Sequence, residues 1–348
     1  MILAIETSCD DTCAAVITEP GEILANVISS QGIHDRYGGV VPEIASRQHL
    51  ELIGEAVDEA LRTAGATLPE VGLIAVTRGP GLVAALLVGL ATAKALAASH
   101  RLPLAAVDHL HGHIAASFLG PTPFAPPFLS LVASGGHTFL ARVTDKGPRW
   151  EVLGQTLDDA AGEAFDKGAR LLGLGYPGGA ALECLAHDGD PEAFAFPAGA
   201  RMKGFDFSFA GCKTSLLYRV RDLGEAEARR RRADLAASYQ HAIVEALAIR
   251  VERALAGTRL KRLAIGGGVA ANGALRARLA TLDVELDVPP RELCTDNAAM
   301  IASAARYVEP LPYPAYLTLD VYATGERASR ITHADLAKGE LDAEPRSA

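Results

Sequence analysis

Aromatic side chains are scarce, at 5% of the 348 residues with a single Trp. That excludes a surface built mainly from stacked aromatic platforms for single-stranded bases. The five cysteines (Cys9, Cys13, Cys184, Cys212, Cys294) are odd in number, widely scattered and form no Cys-x-x-Cys pair. A disulfide framework is therefore excluded, and a reduced, cytoplasmic compartment is expected. No apolar stretch runs unbroken for the roughly 18 residues of a membrane span. The longest, residues 81–98, is rich in Ala and Gly and reads as a buried helix. No basic segment precedes the first apolar run, so no secretory signal is expected. Positive charge is also short: the net charge is −9. A chain that grips nucleic acid unaided is usually basic. Any nucleic acid handled here would need a local basic patch or a partner's surface.

What is present is small and apolar. Apolar residues make up 49% of the chain, Gly alone numbers 34, and the length suggests about two domains. Residues 2–6 and 13–17 are apolar runs flanking the polar turn Thr7-Ser8-Cys9-Asp10-Asp11-Thr12, which reads as a hairpin, with residues 26–30 as a third strand. After a Gly-bearing loop at 31–41, a helix is predicted from Pro42 to about residue 64, with Ile44, Leu50, Ile53, Ala56, Val57 and Leu61 facing inward. A strand at 71–76 then enters Thr77-Arg78-Gly79-Pro80-Gly81 and a long helix. This strand, Gly-rich turn and helix form an anion-binding plan, but no Gly-Lys-[Ser/Thr] follows to make a P-loop.

The plan recurs beyond the Pro-rich break at 121–127. Residues 128–132 and 139–143 flank the turn Ala133-Ser134-Gly135-Gly136-His137-Thr138, residues 150–154 add a strand, and 263–265 run into Gly266-Gly267-Gly268-Val269 and a helix from about Ala270. Residues 158–173, 178–187 and 234–256 read as helices, and 206–214 as a short strand and turn. The four arginines at 229–232 sit beside Glu225 and Glu227 and read as a solvated helix end. Two halves of this kind predict a duplicated α/β fold of the actin, Hsp70 and sugar-kinase class. It would have an N-terminal lobe (1–120), a C-terminal lobe (121–309) and a tail (310–348) folding back on the first lobe. A polar hairpin turn from each half would face the cleft between the lobes.

The stretch most suggestive of chemistry is 104–113. A short apolar strand (104–107) ends at Asp108, a good helix N-cap. A helix from there puts His109 and His113 on one face, four residues apart, while His111 points away. Two such imidazoles can share a metal, although a solvated polar helix start is the competing reading. A zincin is excluded because Leu110 stands where that motif needs a general-base Glu. A metal would need a third ligand from elsewhere. Asp296, in Cys294-Thr295-Asp296-Asn297 ahead of an Ala-rich helix, is either that ligand or an N-cap; taken alone, the segment favours the cap.

Ten ordered motifs carry a resemblance that covers nearly the whole chain. They are Glu6-Thr-Ser-Cys-Asp-Asp-Thr12, Val41-Pro-Glu-Ile-Ala-Ser-Arg-Gln-His49, residues 77–81, residues 109–113, Ser134-Gly-Gly-His-Thr138, Gly162-Glu-Ala-Phe-Asp-Lys167, Tyr176-Pro-Gly-Gly179, residues 206–214, residues 266–272 and residues 294–297. The chain resembles the tRNA N6-adenosine threonylcarbamoyltransferase family, once misnamed O-sialoglycoprotein endopeptidase. Asp11 departs from a frequent Glu, Ala84 from a usual Gly, and Asp108 from a frequent His.

The resemblance implies an actin-like two-lobed fold. It also implies transfer of a threonylcarbamoyl group from L-threonylcarbamoyl-AMP to N6 of the adenosine just 3′ of the anticodon (adenosine 37), in tRNAs reading codons that begin with A. By motif it assigns His109, His113 and Asp296 to one divalent metal ion, with Fe(II) favoured over Zn(II). It assigns Ser134, Gly135, Gly136, His137, Thr138, Asp166, Gly179, Glu183 and Asn272 to the adenylate donor. The expected role of Asp166 is to accept hydrogen bonds from the ribose. An ion shared by these ligands would tie the two halves together. Asp10 or Asp11 either takes the amine proton or merely orders the turn. Implied partners are a degenerate paralogue of the same fold and a small P-loop ATPase; no membrane is implied. A small-molecule kinase of the same fold has no use for the His pair, and a non-catalytic scaffold has no need of it.

Overall fold

The computed structural model describes residues 1–120, 122–147, 149–200 and 202–323. Two five-stranded sheets share one topology. The first is built from β1 (Ile2–Glu6), β2 (Asp11–Ile17), β3 (Ile23–Ser30), β4 (Leu73–Gly79) and β5 (Leu104–Asp108), in the order β3-β2-β1-β4-β5. Strands β1, β2 and β3 form an antiparallel meander, while β4 and β5 join in parallel through α1 (Pro42–Thr63) and α2 (Val83–His100). A short helix, α3 (His109–Ala115), follows β5 directly.

The second sheet repeats this arrangement with β6 (Phe128–Ala133), β7 (Thr138–Val143), β8 (Trp150–Gln155), β9 (Arg262–Gly266) and β10 (Glu285–Asp287), in the order β8-β7-β6-β9-β10. Its helices are α4 (Ala161–Leu171), α5 (Gly178–Ala186), α6 (Ala210–Arg230), α7 (Arg232–Thr258) and α8 (Gly273–Leu279), followed by α9 (Arg291–Cys294) and α10 (Ala298–Ala305).

Alternation along the central strands sets the layers, because successive side chains of a strand enter opposite faces. Leu3 and Ile5 pack with α1 and α2, whereas Ile2 and Ala4 face inward. Leu129 and Leu131 pack with α4–α8, whereas Phe128 and Val132 face inward. The inward faces of both sheets share one core with α3 and α10, so these two helices form a middle layer between the sheets. Although α10 follows the second sheet in sequence, it packs across β1–β5 of the first. Residues 311–322 also return to the first sheet, where Leu311 pairs with Leu104 and Tyr316 is buried. Residues 324–348 lie outside the described residues.

Local expectations needed correction in two places, while the arginine run is the solvated helix end expected. Leu50, expected inside, is 67% exposed; His49 takes the inward position instead. Residues 206–214 contain only an isolated Thr156–Phe207 bridge before α6 begins at Ala210. The arginine run lies at the α6–α7 junction, where Arg229, Arg230 and Arg231 pair with Glu225, Glu227 and Asp234, and Arg232 donates to the Gly173 carbonyl. By length and apolarity α2 would span a membrane, but its inner face packs on α1 and β4.

Candidate active site

Strand β5 delivers the chain to α3, and the expected cap forms: Asp108 Oδ1 accepts from the amides of Leu110 at 2.8 Å and His111 at 3.2 Å. His109 and His113 then share a face, with their ring centroids 4.7 Å apart. His111 stacks on Trp150 instead, at 5.3 Å. Asp296 meets the pair from the loop before α10, with Oδ1 3.6 Å from His109 Nε2 and 3.4 Å from His113 Nε2. Metal–ligand bonds of about 2.1 Å at tetrahedral angles would separate ligand atoms by about 3.4 Å. The two Asp296–histidine distances match this spacing, the three donor atoms lie within 4.8 Å of one another, and neither nitrogen of the buried His113 ring has a hydrogen-bond partner.

The N-cap of α10 is the next residue, Asn297, whose side chain accepts from Met300 N at 2.9 Å. This corrects the expectation that the cap role best suits Asp296. Because α10 sits on the first sheet, the three candidate donors come from α3 and from the loop before α10, whose helices neighbour each other in the middle layer, rather than from opposed lobes.

Glu6 is the residue that sequence reasoning missed. Fully buried at the end of β1, it accepts from Thr77 Oγ1 at 2.6 Å and lies 2.9 Å from His109 Nδ1. The Ser8 amide donates to its other oxygen. A carboxylate on the far nitrogen fixes the tautomer of a metal-binding imidazole and aims Nε2 at the ion. The signal was available, since a Glu closing a wholly apolar strand must be paired.

The electrostatics suit a cation. Burial pushes the His109 pKa down, but the negative Asp296 and Glu6 outweigh it and raise the pKa to about 9. Burial pushes the Asp296 carboxyl up, yet His109 and His113 pull it well below the usual carboxylate range. Asp11, at the start of β2, is raised to about 7 by burial, against a hydrogen bond with Ser30 and reinforced by the charges of Asp296, Asp10 and Glu6. Buried His49 braces this turn from α1, 3.0 Å from the Cys9 carbonyl through Nε2 and 2.8 Å from Thr12 Oγ1 through Nδ1. The Tyr176 hydroxyl, unassigned by the sequence reading, has its pKa raised by burial and then by the charges of Asp10 and Asp166.

The second hairpin turn is closed by Ser134 N donating to the His137 carbonyl at 2.7 Å and by His137 N donating to Ser134 Oγ at 3.1 Å. Gly135 and Gly136 are exposed, and a Cβ on either would meet nothing within 4 Å. Gly267 supports the turn from beneath: its φ is +83°, and a Cβ there would lie 2.3 Å from the Ala133 carbonyl oxygen. Thr138 Oγ1 accepts from Ala161 N at 2.8 Å, fixing the start of α4. His137 approaches the His109–His113–Asp296 cluster, with its ring 6.5 Å from that of His109; burial, then His109 and His113, lower its pKa to about 4.

The remaining assigned residues tie helix starts together. Asp166 Oδ1 accepts from the amides of Gly178 and Gly179 at 2.9 and 3.2 Å, leaving Oδ2 outside those bonds. Glu183 accepts from Gly273 N at 2.6 Å, and Asn272 caps α8 through Leu275 N while donating to Gln240.

Comparison with known proteins places this geometry in context. Residues 22–303 match the family model described as tRNA N6-adenosine threonylcarbamoyltransferase. A protein of that name from Symbiobacterium thermophilum is 51% identical over 313 residues, covering 88% of this chain and 91% of its own. Another from Trichlorobacter lovleyi is 52% identical over 310 residues, covering 87% and 90%. Among solved structures, component A of the (R)-2-hydroxyglutaryl-CoA dehydratase of Acidaminococcus fermentans superposes with a TM-score of 0.55 at 16% identity, covering 88% of this chain and 96% of its own. Full-length HypF superposes at 0.54 with 14% identity, covering 88% and 54%. At such identities these structures establish the fold, which is actin-like.

Proposed function

The chain belongs to the tRNA N6-adenosine threonylcarbamoyltransferase family, and from that premise we propose how its site works. It is a transferase that places a threonylcarbamoyl group on N6 of adenosine in tRNA. The observation that carries the site reading is the cluster of His109, His113 and Asp296, spaced as ligands and backed by Glu6.

We assign the donor as threonylcarbamoyl-AMP, a mixed carbamic–phosphoric anhydride, and the acceptor as the adenosine just 3′ of the anticodon. Two imidazoles and one carboxylate suit a divalent ion, Fe(II) or Zn(II). Such an ion, when bound, supplies a Lewis acid and template for the carbamoyl group. The Gly135 and Gly136 amides hold the phosphate, with open space above them for its oxygens. Asp166 Oδ2 takes the ribose hydroxyls, while Oδ1 holds α5 in place. The exocyclic amine of adenine is a weak nucleophile and must lose a proton. Asp11, with a pKa near 7, is matched to accept it. A base in a single-stranded loop is splayed out at low cost, which lets the anticodon loop present it.

The net charge of −9 gives the chain little unaided hold on tRNA. This supports a reading in which a degenerate paralogue of the same fold and a small P-loop ATPase act with it in the cytoplasm.

Depletion tests the function and a variant tests the site. Threonylcarbamoyl-adenosine should vanish from the tRNA of cells lacking the protein. It should return with the wild-type chain but not with His113→Ala, which should fold and lose its metal. A His113→Ala protein that carries a full metal complement and restores the modification would refute the site.

A further inference from the structure

We propose that Tyr322 is a positioning residue for the metal centre, acting through Asp108 from a C-terminal strap across the first sheet. The inference rests on the metal reading above and goes beyond it to a residue that touches none of the ligands.

After α10 the chain returns along the edge of the first sheet. Leu311 exchanges backbone hydrogen bonds with Leu104 at 2.9 and 3.0 Å, extending the sheet beyond β5. Tyr316 is fully buried in the core that α1 and α2 form with this sheet. Lys94 of α2 donates to the carbonyls of Leu317 at 3.0 Å and Leu319 at 2.5 Å. Arg78, at the end of β4, donates to the Asp320 carbonyl at 2.6 Å and accepts from Tyr322 N at 3.3 Å. The strap therefore ends in a fixed place.

That place is the start of α3. The Tyr322 hydroxyl donates to Asp108 Oδ2 at 2.6 Å and lies 2.9 Å from the Gly79 carbonyl oxygen. The ring is seated on Gly79, where a Cβ would come within 2.8 Å of a ring carbon and where φ is +155°. The other oxygen of Asp108 caps α3 through Leu110 N and His111 N. One carboxylate thus joins the strap to the helix that carries His109 and His113. The helix has only seven residues, so it has few internal hydrogen bonds with which to hold its own axis. Its direction depends on its ends. With the phenol in place Asp108 has one rotamer; without it Oδ2 loses its partner and the cap can rotate. The histidines stand on the first and second turns beyond that cap, so a tilt there misaims both.

The test is Zn(II) titration of the full-length, metal-stripped chain by calorimetry, with thermal melting measured alongside. Tyr322→Phe keeps the ring on Gly79 and removes only the hydroxyl. Its Zn(II) affinity should fall about tenfold, as for outer partners of metal ligands, with little change in melting. Asp108→Ala loses both cap and bridge and should bind more weakly still. Asp108→Asn keeps the capping oxygen and offers an amide to the phenol, so it should stay close to wild type. Lys94→Ala loosens the strap away from α3 and should lower the melting temperature while Zn(II) affinity holds. Equal Zn(II) affinity in Tyr322→Phe and wild type overturns the proposal, whatever the melts show. So does a Lys94→Ala loss as large as that of Tyr322→Phe. A wild-type chain that takes up no Zn(II) removes the metal reading and the proposal together, whereas one that binds Zn(II) but ignores Tyr322→Phe removes only the proposal.

Discussion

The two hairpins of this molecule occupy the same place in two sheets of the same order, yet they present opposite chemistries. The first, between β1 and β2, has no glycine. It carries Glu6, which faces the buried His109, together with Asp10 and Asp11, and their charges help burial raise the Asp11 pKa. The second, between β6 and β7, carries no acid; Gly135 and Gly136 are exposed, with open space where a Cβ would stand. One turn suits a cation and the other an anion. The two turns hold equivalent positions in sheets of one strand order, so their opposite chemistries come from the turn residues and not from the sheets.

Three substitutions put that contrast under pressure. The largest effect is expected at Asp11. If it accepts the amine proton, Asp11→Asn should slow transfer by roughly 10²–10⁴-fold, measured as single-turnover formation of the modified nucleoside. Stability gives an independent check in the metal-free protein. The folded-state pKa of Asp11 is raised from 3.8 to about 7, so the folded form binds the proton more tightly. Its contribution to stability is therefore lost as pH rises from about 4 to 7 and is flat above. His137, lowered to about 4, contributes with the opposite sign below about 6.5, so the check is the difference between wild type and Asp11→Asn. That difference should fall across this range in melts, and a difference that does not change with pH would show that Asp11 does not titrate there.

The next effect belongs to Glu6. Glu6→Gln keeps the shape but removes the charge facing His109 Nδ1, and metal affinity should fall about 10–100-fold. Calorimetric titration that finds it unchanged would separate the acidic turn from the cation. The smallest effect is at the other hairpin. Gly135→Ala adds a methyl where nothing lies within 4 Å, so melting should not move. Affinity for an adenylate analogue should nevertheless fall, because the methyl fills the open space the phosphate oxygens would enter while the amide itself is kept. An unchanged affinity would break the anion half of the comparison.

Much of this was legible in the residues, for definable reasons. His109 and His113 announce themselves because helical periodicity alone puts i and i+4 on one face, and Asp108 marks where that helix starts. The duplicated hairpin and strand–turn–helix units are visible because apolar runs and glycines repeat in order. Asp296 was ambiguous because Asp and Asn stand in tandem before α10 and both cap well; the register that gives the cap to Asn297 is a tertiary fact. Glu6 escaped because a strand pattern says nothing about what lies beyond its end. The start of α6 escaped because Phe207, Ser208 and Phe209 read as extended, while only one of them pairs. That α10 belongs with the first sheet follows from packing between layers, which no local pattern encodes.

The position of α10 also sets an order of events during synthesis. The histidine pair and the whole first sheet leave the ribosome long before Asp296 and the helix behind it. Until that helix arrives, the inward faces of both sheets lack part of their covering and the histidine pair lacks its carboxylate. Closing the middle layer and bringing Asp296 to the pair are one late act. A chain cut short before residue 296 has both sheets in its sequence but lacks the carboxylate that meets the histidine pair.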